Sequence, residues 1–279
     1  IPIADLQSGR SISDPRVQEL WQDAQQMLQQ IIDSNTLQAK AVTGFFPASR
    51  DGEDLVIHDE NSPERERCRL PMLRRQTPRR TADPLRCPSL VDWIAPTENG
   101  HPIDAIGAFV VTTGLGVSEL VAHHEANHDD YSVILVQALA DRLAESLAEW
   151  VHAQMRTMWG FPDSKDLPIS DLHRERYRGI RPAPGYPACP DHTLKRPLFD
   201  LLEAPDRIGV QLTENYAMLP AASISALVFA HPESRYFAVG KIGRDQVENY
   251  AHRTARTVTE VERWLAPNLG YDPNLPPGS

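Results

Sequence analysis

Apolar residues recur at helical spacing near the start of the chain. Asp14 and Pro15 form a helix start, with an acidic N-cap followed by proline at the first helical position. From Val17 to Ile32 the apolar side chains return every three or four residues, which predicts one helix with a broad apolar face. Residues 1–13 show no such period. We therefore predict an irregular linker over 1–13 and a domain over 14–279.

Runs rich in β-branched and aromatic residues predict the strands. Ala41–Phe46 and Leu55–His58 read as a strand pair around a turn at Ser49–Asp54, and Ile106–Thr112 reads as a buried strand. Three later runs are separated by short turns, which favours antiparallel pairing. These predicted strands are Ile208–Met218, Ser223–Ala230 and Tyr236–Ile242.

The longest predicted helix runs from Ser132 to about Met158, after the capping acids Asp129 and Asp130. The last predicted helix opens with a capping-box pattern formed by Thr257 and Glu260. Strands do not alternate regularly with helices, so the pattern favours an α+β fold, with a central antiparallel sheet flanked by helices, over a doubly wound sheet. The shorter predicted helices are Thr193–Leu202, Asp245–Ala255 and Val258–Leu265.

Composition narrows the class of protein. With 41% hydrophobic and 24% charged residues over 279 positions, the chain has the profile of a soluble globular protein. The net charge of -10 argues against a nucleic-acid partner, and no apolar run reaches the ~20 residues of a membrane span. Three widely spaced cysteines without a CxxC pair favour a cytoplasmic setting. Because the chain begins at Ile1, we expect it to be a piece of a longer polypeptide.

The stretch from Glu64 to Arg86 is dense in arginine and interrupted by three prolines. It could form a nucleic-acid patch or a docking surface for an acidic protein. A solvated loop is favoured, because the whole chain is acidic and no aromatic residues interleave the arginines.

The run RPAPGYPACPDHT, at Arg181–Thr193, is the strongest candidate for a binding loop. Its prolines make it stiff and unsuited to a central strand. Gly185 marks a sharp turn or a close approach to a ligand, and Arg181 offers a planar fork of donors for a carboxylate or phosphate. A proline-rich surface turn with a solvated arginine is the alternative.

Two other patterns suggest chemistry but are weak. His124, Glu125 and His128 satisfy H-E-x-x-H, which on a helix could hold zinc as in a metalloprotease. Asp129 and the residues after it indicate that the helix breaks there, so this remains a remote alternative. Cys189 lies three residues from His192, which is poor support for a nucleophile and its base, so we interpret it as a packed or ligand-adjacent cysteine.

The run at Arg181–Thr193 resembles the S-adenosylmethionine-binding loop of the reactivation domain of cobalamin-dependent methionine synthase. The likeness extends in order over nearly the whole chain from about Val17 onward. The other matching segments are Gly44–Ala48, Ile106–Gly114, His128–Tyr131, Ala138–Trp150, Leu212–Ala251 and Thr257–Asp272.

This resemblance implies a C-shaped α+β domain around a twisted antiparallel sheet, and a site for S-adenosylmethionine. Arg181 would pair with the ligand carboxylate, while Gly185 and Tyr186 would bring main chain close to the adenosine. The absence of a glycine-rich strand-to-helix loop argues against the common Rossmann-type methyltransferase. The full set of ligand-binding residues implied is Arg181, Ala183, Gly185, Tyr186, Tyr236, Phe237, Glu175 and Glu145, with no catalytic residue of the chain's own.

The family's chemistry is reductive methylation, in which an electron from a flavodoxin-type partner and a methyl group from S-adenosylmethionine restore inactive cob(II)alamin. The resemblance implies that cobalamin is bound by a neighbouring domain of the same polypeptide, and zinc only by another domain. Asp141 lies four residues before Glu145, so the two could meet the cobalamin domain from one helix face. A stand-alone S-adenosylmethionine-binding module and an independent methyltransferase are the alternatives.

The sequence departs from the family at its start. The family has an aspartate in an aromatic-rich segment that engages the ligand's amino group, and Asp5 and Asp14 are poor matches for it. Either that segment was removed with the preceding linker, or the amino group is held differently here.

Overall fold

The computed structural model describes residues 14–77, 87–164, 167–172 and 174–275. Its strands are β1 Gln38–Asp51, β2 Asp54–His58, β3 Glu66–Pro71, β4 Asp104–Leu115, β5 Gln211–Leu212, β6 Met218–Leu219 and β7 Ser223–Val228. The central element is a five-stranded antiparallel sheet with the order β3-β2-β1-β4-β7. A separate two-stranded ladder pairs β5 with β6.

Helices cover the sheet on both faces. The helices of the described residues are α1 Pro15–Ser34, α2 Val117–Ala126, α3 Asp130–Met158, α4 Ile169–Leu172, α5 Lys195–Leu202, α6 Ala204–Ile208, α7 Arg244–Thr254 and α8 Val258–Trp264. No helix in the described ranges has the length and apolar character needed to cross a membrane.

The central strand β4 explains why the sheet needs two covering layers. Its side chains alternate between the faces, because successive residues of a strand point in opposite directions. Phe109 and Val111 pack against α3, whereas Ala108 and Val110 face the larger core on the other side. With both faces buried, β4 reads as a continuous apolar run, as the sequence predicted.

The α+β fold with a central antiparallel sheet is confirmed, and so are the predicted β1–β2 pair, β4, β7 and the long helix α3. Asp14 and Asp129 cap α1 and α3 as predicted, by accepting hydrogen bonds from Arg16 N and Ser132 N. The β1–β2 turn is tighter than predicted, since β1 continues to Asp51. The predicted linker, 1–13, lies outside the described residues.

Two of the three late strands were wrongly predicted. The run at 208–218 contains only the two-residue strand β5 and the first residue of β6, because α6 extends to Ile208 and Gly209 ends it with a left-handed φ of 76°. The segment at 236–242 buries Phe237 and Val239 alternately but forms only an isolated bridge, between Ile242 and Leu269, and no ladder. Its alternation reflects packing of an extended segment on a loop, which is a pattern that sequence alone cannot distinguish from a strand.

The apolar face of α1 is broader than the part that is buried. Met27 and Ile31 pack with Leu135 and Val136 at the start of α3. Trp21 and Ile32 remain 48% and 61% exposed. The helical period therefore predicted the element correctly but overestimated its buried face.

The arginine-dense stretch is a structured edge, not the predicted loop, over its first part. Strand β3 covers Glu66–Pro71 and pairs with β2. Arg69 binds Asp51, Asp54 and Glu66, at nitrogen–oxygen distances of 2.8–3.1 Å. Carboxylates of β1, β2 and β3 thus pair with Arg69, while residues 78–86 lie outside the described ranges.

The capping box of α8 gives a first testable result. Thr257 Oγ1 accepts from Glu260 N, and the Glu260 carboxylate accepts from Thr257 N. Replacing Thr257 by alanine should lower the free energy of unfolding by about 1 kcal/mol, because one amide at the helix start loses its partner. Urea denaturation would measure this loss. Thr257→Ser keeps the acceptor and should stay within a few tenths of wild type, and an equal loss in both variants would contradict the capping role.

Candidate functional site

The segment before the proline-rich loop is fixed to the edge of the sheet. Ile180 N donates to Phe229 O, and Phe229 N donates back to Ile180 O, at 3.0 and 2.9 Å. Leu227 N then donates to Pro182 O at 3.0 Å. These bonds place residues 180–182 alongside β7 and its continuation, so that Arg181 lies at the edge of the sheet.

Gly185 makes the sharp turn that the sequence suggested. Its φ of 100° is a conformation that side chains rarely adopt, and its amide donates to Cys189 O at 2.7 Å. A Cβ at this position would lie 2.3 Å from a carbon of the His192 ring. Glycine is therefore required by the fold of the loop itself, since the ring of His192 occupies the space beside it.

Asp191 closes the loop against α7. It is 2% exposed, and its carboxylate accepts hydrogen bonds from Thr193 N, Thr193 Oγ1 and the Tyr250 hydroxyl. Buried carboxylates are stable when their oxygens are hydrogen-bonded in this way. The loop is thus held at both ends before any ligand binds.

The extended segment at 236–242 forms the facing wall. Val239 N donates to Pro187 O at 2.8 Å, and the Tyr236 hydroxyl accepts the Arg181 amide at 2.9 Å. Burial raises the pKa of Tyr236 to about 12, so the hydroxyl stays protonated near neutral pH. This segment therefore fixes the main chain of the loop as well as lining the space beside it.

A cavity of about 330 Å³ opens between the loop, α3 and this segment. That volume falls in the range of small-molecule sites. Seven of the eight predicted site residues line it, and Gly185 does not. Its lining is Glu145, Glu175, Arg181, Pro182, Ala183, Tyr186, Pro187, Ala188, Ile224, Tyr236 and Phe237.

Arg181 is the basic group of the cavity wall. Its Nη2 donates to Glu149 Oε2 on α3 at 2.7 Å, and the two side chains are only 17% and 26% exposed. Burial opposes the charge, but Glu149, Tyr177 and Tyr236 together keep the pKa of Arg181 above its ordinary value. The guanidinium is therefore a permanent, fixed cation.

Two acidic side chains share the lining with Arg181. Glu145 lies on α3, and Glu175 lies in the segment before the loop with a left-handed φ of 54°. Partial burial raises the pKa of Glu175, an effect that Arg181 opposes and Glu149 reinforces. Asp141, one turn before Glu145, is exposed and is not among the lining residues. The lining thus combines one cation with two carboxylates.

Glu149 is the functional candidate that the sequence analysis missed. It follows Glu145 by four residues and therefore lies on the same face of α3. The helix face that carries Asp141 and Glu145 carries Glu149 one turn later, so the signal that points to Glu149 was present in the sequence. Only the structure shows that Arg181 is the partner, because 32 positions separate the two residues.

The metalloprotease alternative is wrong on geometry. Helix α2 ends at Ala126, and His128 lies beyond it with a left-handed φ of 57°. The two histidines therefore do not share a helix face. His124 instead lies 3.6 Å from the Asp129 carboxylate.

Cys189 is a packed residue, as interpreted from the sequence. It is 3% exposed, and burial raises the pKa of its thiol well above the ordinary value. The nearby His192 lies 3.0 Å from Lys195 Nζ through its Nδ1. A neutral, enclosed thiol cannot serve as a nucleophile near neutral pH.

Comparison with known proteins identifies the family. A family model described as "Vitamin B12 dependent methionine synthase, activation domain" matches residues 8–255. The chain belongs to this family. A crystal structure of the MetH reactivation domain bound to AdoHcy is 48% identical to it, with a TM-score of 0.86. The match covers 92% of this chain and 78% of that one.

Membership in this activation-domain family confirms the resemblance read from the sequence. The methionine synthases to which such domains belong are methyltransferases. The domain of this chain is accordingly one that serves the reactivation of a vitamin B12 enzyme. The matched residues, 8–255, include the five-stranded sheet, the loop and α3, which together enclose the cavity.

Proposed function

We propose that the cavity binds S-adenosylmethionine and presents its methyl group for the reductive methylation of cob(II)alamin held by a neighbouring domain of the same polypeptide. The observation that carries this is the position of Arg181, a fixed guanidinium in the wall of a cavity that also holds two carboxylates. The related crystal structure has AdoHcy bound. AdoHcy is S-adenosylhomocysteine, the molecule that remains when S-adenosylmethionine has lost its methyl group.

The chemistry of the lining fits the ligand group by group. The Arg181 fork suits the carboxylate of the methionine moiety, because guanidinium and carboxylate can form two parallel hydrogen bonds. Glu145 and Glu175 suit its ammonium and sulfonium charges. Ala183, Tyr186 and the Tyr236–Phe237 pair supply apolar and aromatic walls for the adenosine.

Binding and orientation are the tasks left to this chain. S-adenosylmethionine supplies an electrophilic methyl group on its sulfonium, so no side chain is needed as acid, base or nucleophile. The stiff loop, anchored to β7 and α7, holds Arg181 and the aromatic wall in place before the ligand arrives. Such fixed positioning contributes to the rate by aligning the reacting atoms.

The partners follow from the same proposal. The acceptor is the cobalamin of a neighbouring domain, and a flavodoxin-type or other flavoprotein donor supplies the electron. In isolation, the chain is expected to bind the ligand without turning it over. The cytoplasm is the proposed location.

Isothermal titration calorimetry of the chain with S-adenosylmethionine tests the binding proposal. We expect saturable one-to-one binding, and competition by S-adenosylhomocysteine. Recovery of methylcobalamin, followed by absorbance, in a mixture of this chain, the cobalamin domain, S-adenosylmethionine and a reduced flavoprotein tests the reaction. A folded chain that binds neither adenosyl ligand would overturn the proposal.

The two acidic side chains are expected to set the preference between the adenosyl ligands. S-adenosylmethionine carries the sulfonium charge that S-adenosylhomocysteine lacks. Glu145→Gln and Glu175→Gln should each weaken S-adenosylmethionine binding about two- to fivefold more than S-adenosylhomocysteine binding, the scale of a partly exposed ion pair. Asp141→Asn, one turn away on α3, is the matched control. Equal losses for the two ligands would show that the carboxylates do not sense the sulfonium.

A further inference from the structure

A group of buried polar side chains lies directly behind Arg181, between α3 and the segment at 175–181. His152 and Arg156 are 0% and 1% exposed. The Arg156 guanidinium lies 3.9 Å from the centre of the Tyr177 ring, and the His152 ring meets that ring edge-on at 5.2 Å. Several of their atoms have no hydrogen-bond partner among the described residues: Glu149 Oε1, both His152 ring nitrogens, Arg156 Nη1, the Tyr177 hydroxyl and Arg181 Nε.

The spacing along α3 separates this polar group from the core. Glu149, His152 and Arg156 follow one another at intervals of three and four residues, which places them on one helix face. Ala148, Val151 and Met155 form the neighbouring face and pack against β4 and β7. One side of the helix therefore supports the sheet while the adjacent side supports the segment that carries Arg181.

The charges in this group are paired across the fold. Arg156 binds Asp163 through two nitrogens, and Arg181 binds Glu149. Burial, Arg156 and Arg181 together lower the pKa of His152 to about 2, so the histidine is neutral and adds no third cation. Glu149 is thus the carboxylate that balances the Arg181 charge behind the cavity wall.

We infer that Glu149 is a positioning residue for ligand recognition: it holds the Arg181 guanidinium from behind, so that the remaining donors of the fork face the carboxylate of the ligand. This inference rests on the proposed function. Arg181 is held at two points, because its amide is also bound to the Tyr236 hydroxyl. A fork fixed before binding loses less rotational freedom when the ligand arrives, which raises affinity.

A positioning role and simple structural support predict different effects on ligands. Structural support would affect the binding of every ligand, whereas a positioning role affects only ligands that Arg181 binds. In this role Glu149 acts through Arg181, and Arg181 binds the carboxylate of the ligand. The affinity for ligands without a carboxylate should therefore not depend on Glu149. 5′-Methylthioadenosine carries the same adenosine and a thioether but lacks the amino acid portion, so it is the matched probe.

The experiment compares Kd values for S-adenosylhomocysteine and 5′-methylthioadenosine in wild type, Glu149→Gln, Arg181→Ala and the double variant. Glutamine keeps the size of Glu149 and removes its charge, so the fold should be retained, and thermal melting would check this. We expect Glu149→Gln to weaken S-adenosylhomocysteine binding about tenfold and to change 5′-methylthioadenosine binding less than twofold. In the Arg181→Ala background the same substitution should have no further effect. Asp141→Asn, an exposed acid on the same helix, is the control and should change neither affinity.

The outcomes separate this inference from the function on which it rests. Failure of the folded wild type to bind S-adenosylhomocysteine would overturn the proposed function and the inference with it. The inference alone would be overturned if the wild type bound S-adenosylhomocysteine and Glu149→Gln left that affinity unchanged. It would also be overturned if Glu149→Gln weakened the binding of S-adenosylhomocysteine and 5′-methylthioadenosine equally. If Glu149→Gln still weakened S-adenosylhomocysteine binding about tenfold in the Arg181→Ala background, the inference would also be overturned, because Glu149 would then be acting independently of the arginine.

Discussion

Replacing Arg181 by alanine is expected to weaken S-adenosylmethionine binding roughly ten- to a hundredfold. The substitution removes a charged donor fork from the cavity wall, and hydrogen bonds to charged groups are worth about 1.5–3 kcal/mol each. Arg181→Lys keeps the charge but not the planar fork, so its affinity should fall between those of wild type and Arg181→Ala. Calorimetric titration of the three proteins measures these differences.

A control is needed because Arg181 also supports the fold through Glu149. Arg181→Met keeps the apolar stem of the side chain, and a denaturation midpoint should be measured beside every Kd. Arg178→Ala removes an exposed arginine from the same segment, one whose Nε binds Ala230 O outside the cavity lining. Arg178→Ala should bind like wild type. Retained affinity in a folded Arg181→Ala protein would remove this residue from the proposed site.

The sequence predicted the elements whose patterns are local. The buried run of β4, the helical period of α3 and the capping residues Asp14 and Thr257 each carry their signal within a few residues. The segment at 236–242 shows where this reasoning ends. Its alternation of buried and exposed side chains is real, but whether it forms a ladder depends on which distant segment lies beside it.

The same distinction applies to the candidate site. The stiffness of the loop and the fork of Arg181 could be read from residue types, and the family resemblance added the residues on other elements. That Tyr236 binds the loop main chain, and that Glu149 binds Arg181, depends on contacts across 55 and 32 positions. Gly185 was predicted to make a sharp turn or to allow close approach of a ligand; the structure shows the turn, and the ring of His192 leaves no room there for a side chain.

Replacing Gly185 by alanine should therefore destabilise the protein and impair the site together. The left-handed φ of 100° costs a side chain about 1–3 kcal/mol. A Cβ would also lie 2.3 Å from the His192 ring, and displacing a packed ring costs about another 1–3 kcal/mol. Because His192 adjoins Lys195 at the start of α5, the shift should spread beyond the loop. Urea denaturation measures the loss of stability, and calorimetry measures the accompanying loss of S-adenosylmethionine affinity.

Gly160→Ala separates the two causes. Gly160 has a φ of 93°, close to that of Gly185, but an added Cβ there would meet nothing within 4 Å. It should therefore show the backbone cost alone, about 1–3 kcal/mol, with unchanged ligand affinity. The difference between the two variants is the contribution of the contact with His192. Gly185→Ala/His192→Ala should recover that difference, since the ring is then absent. If Gly185→Ala and Gly160→Ala destabilised the protein equally, the loop would have relaxed around the new methyl group. The packing of His192 would then not be what fixes the conformation of the loop.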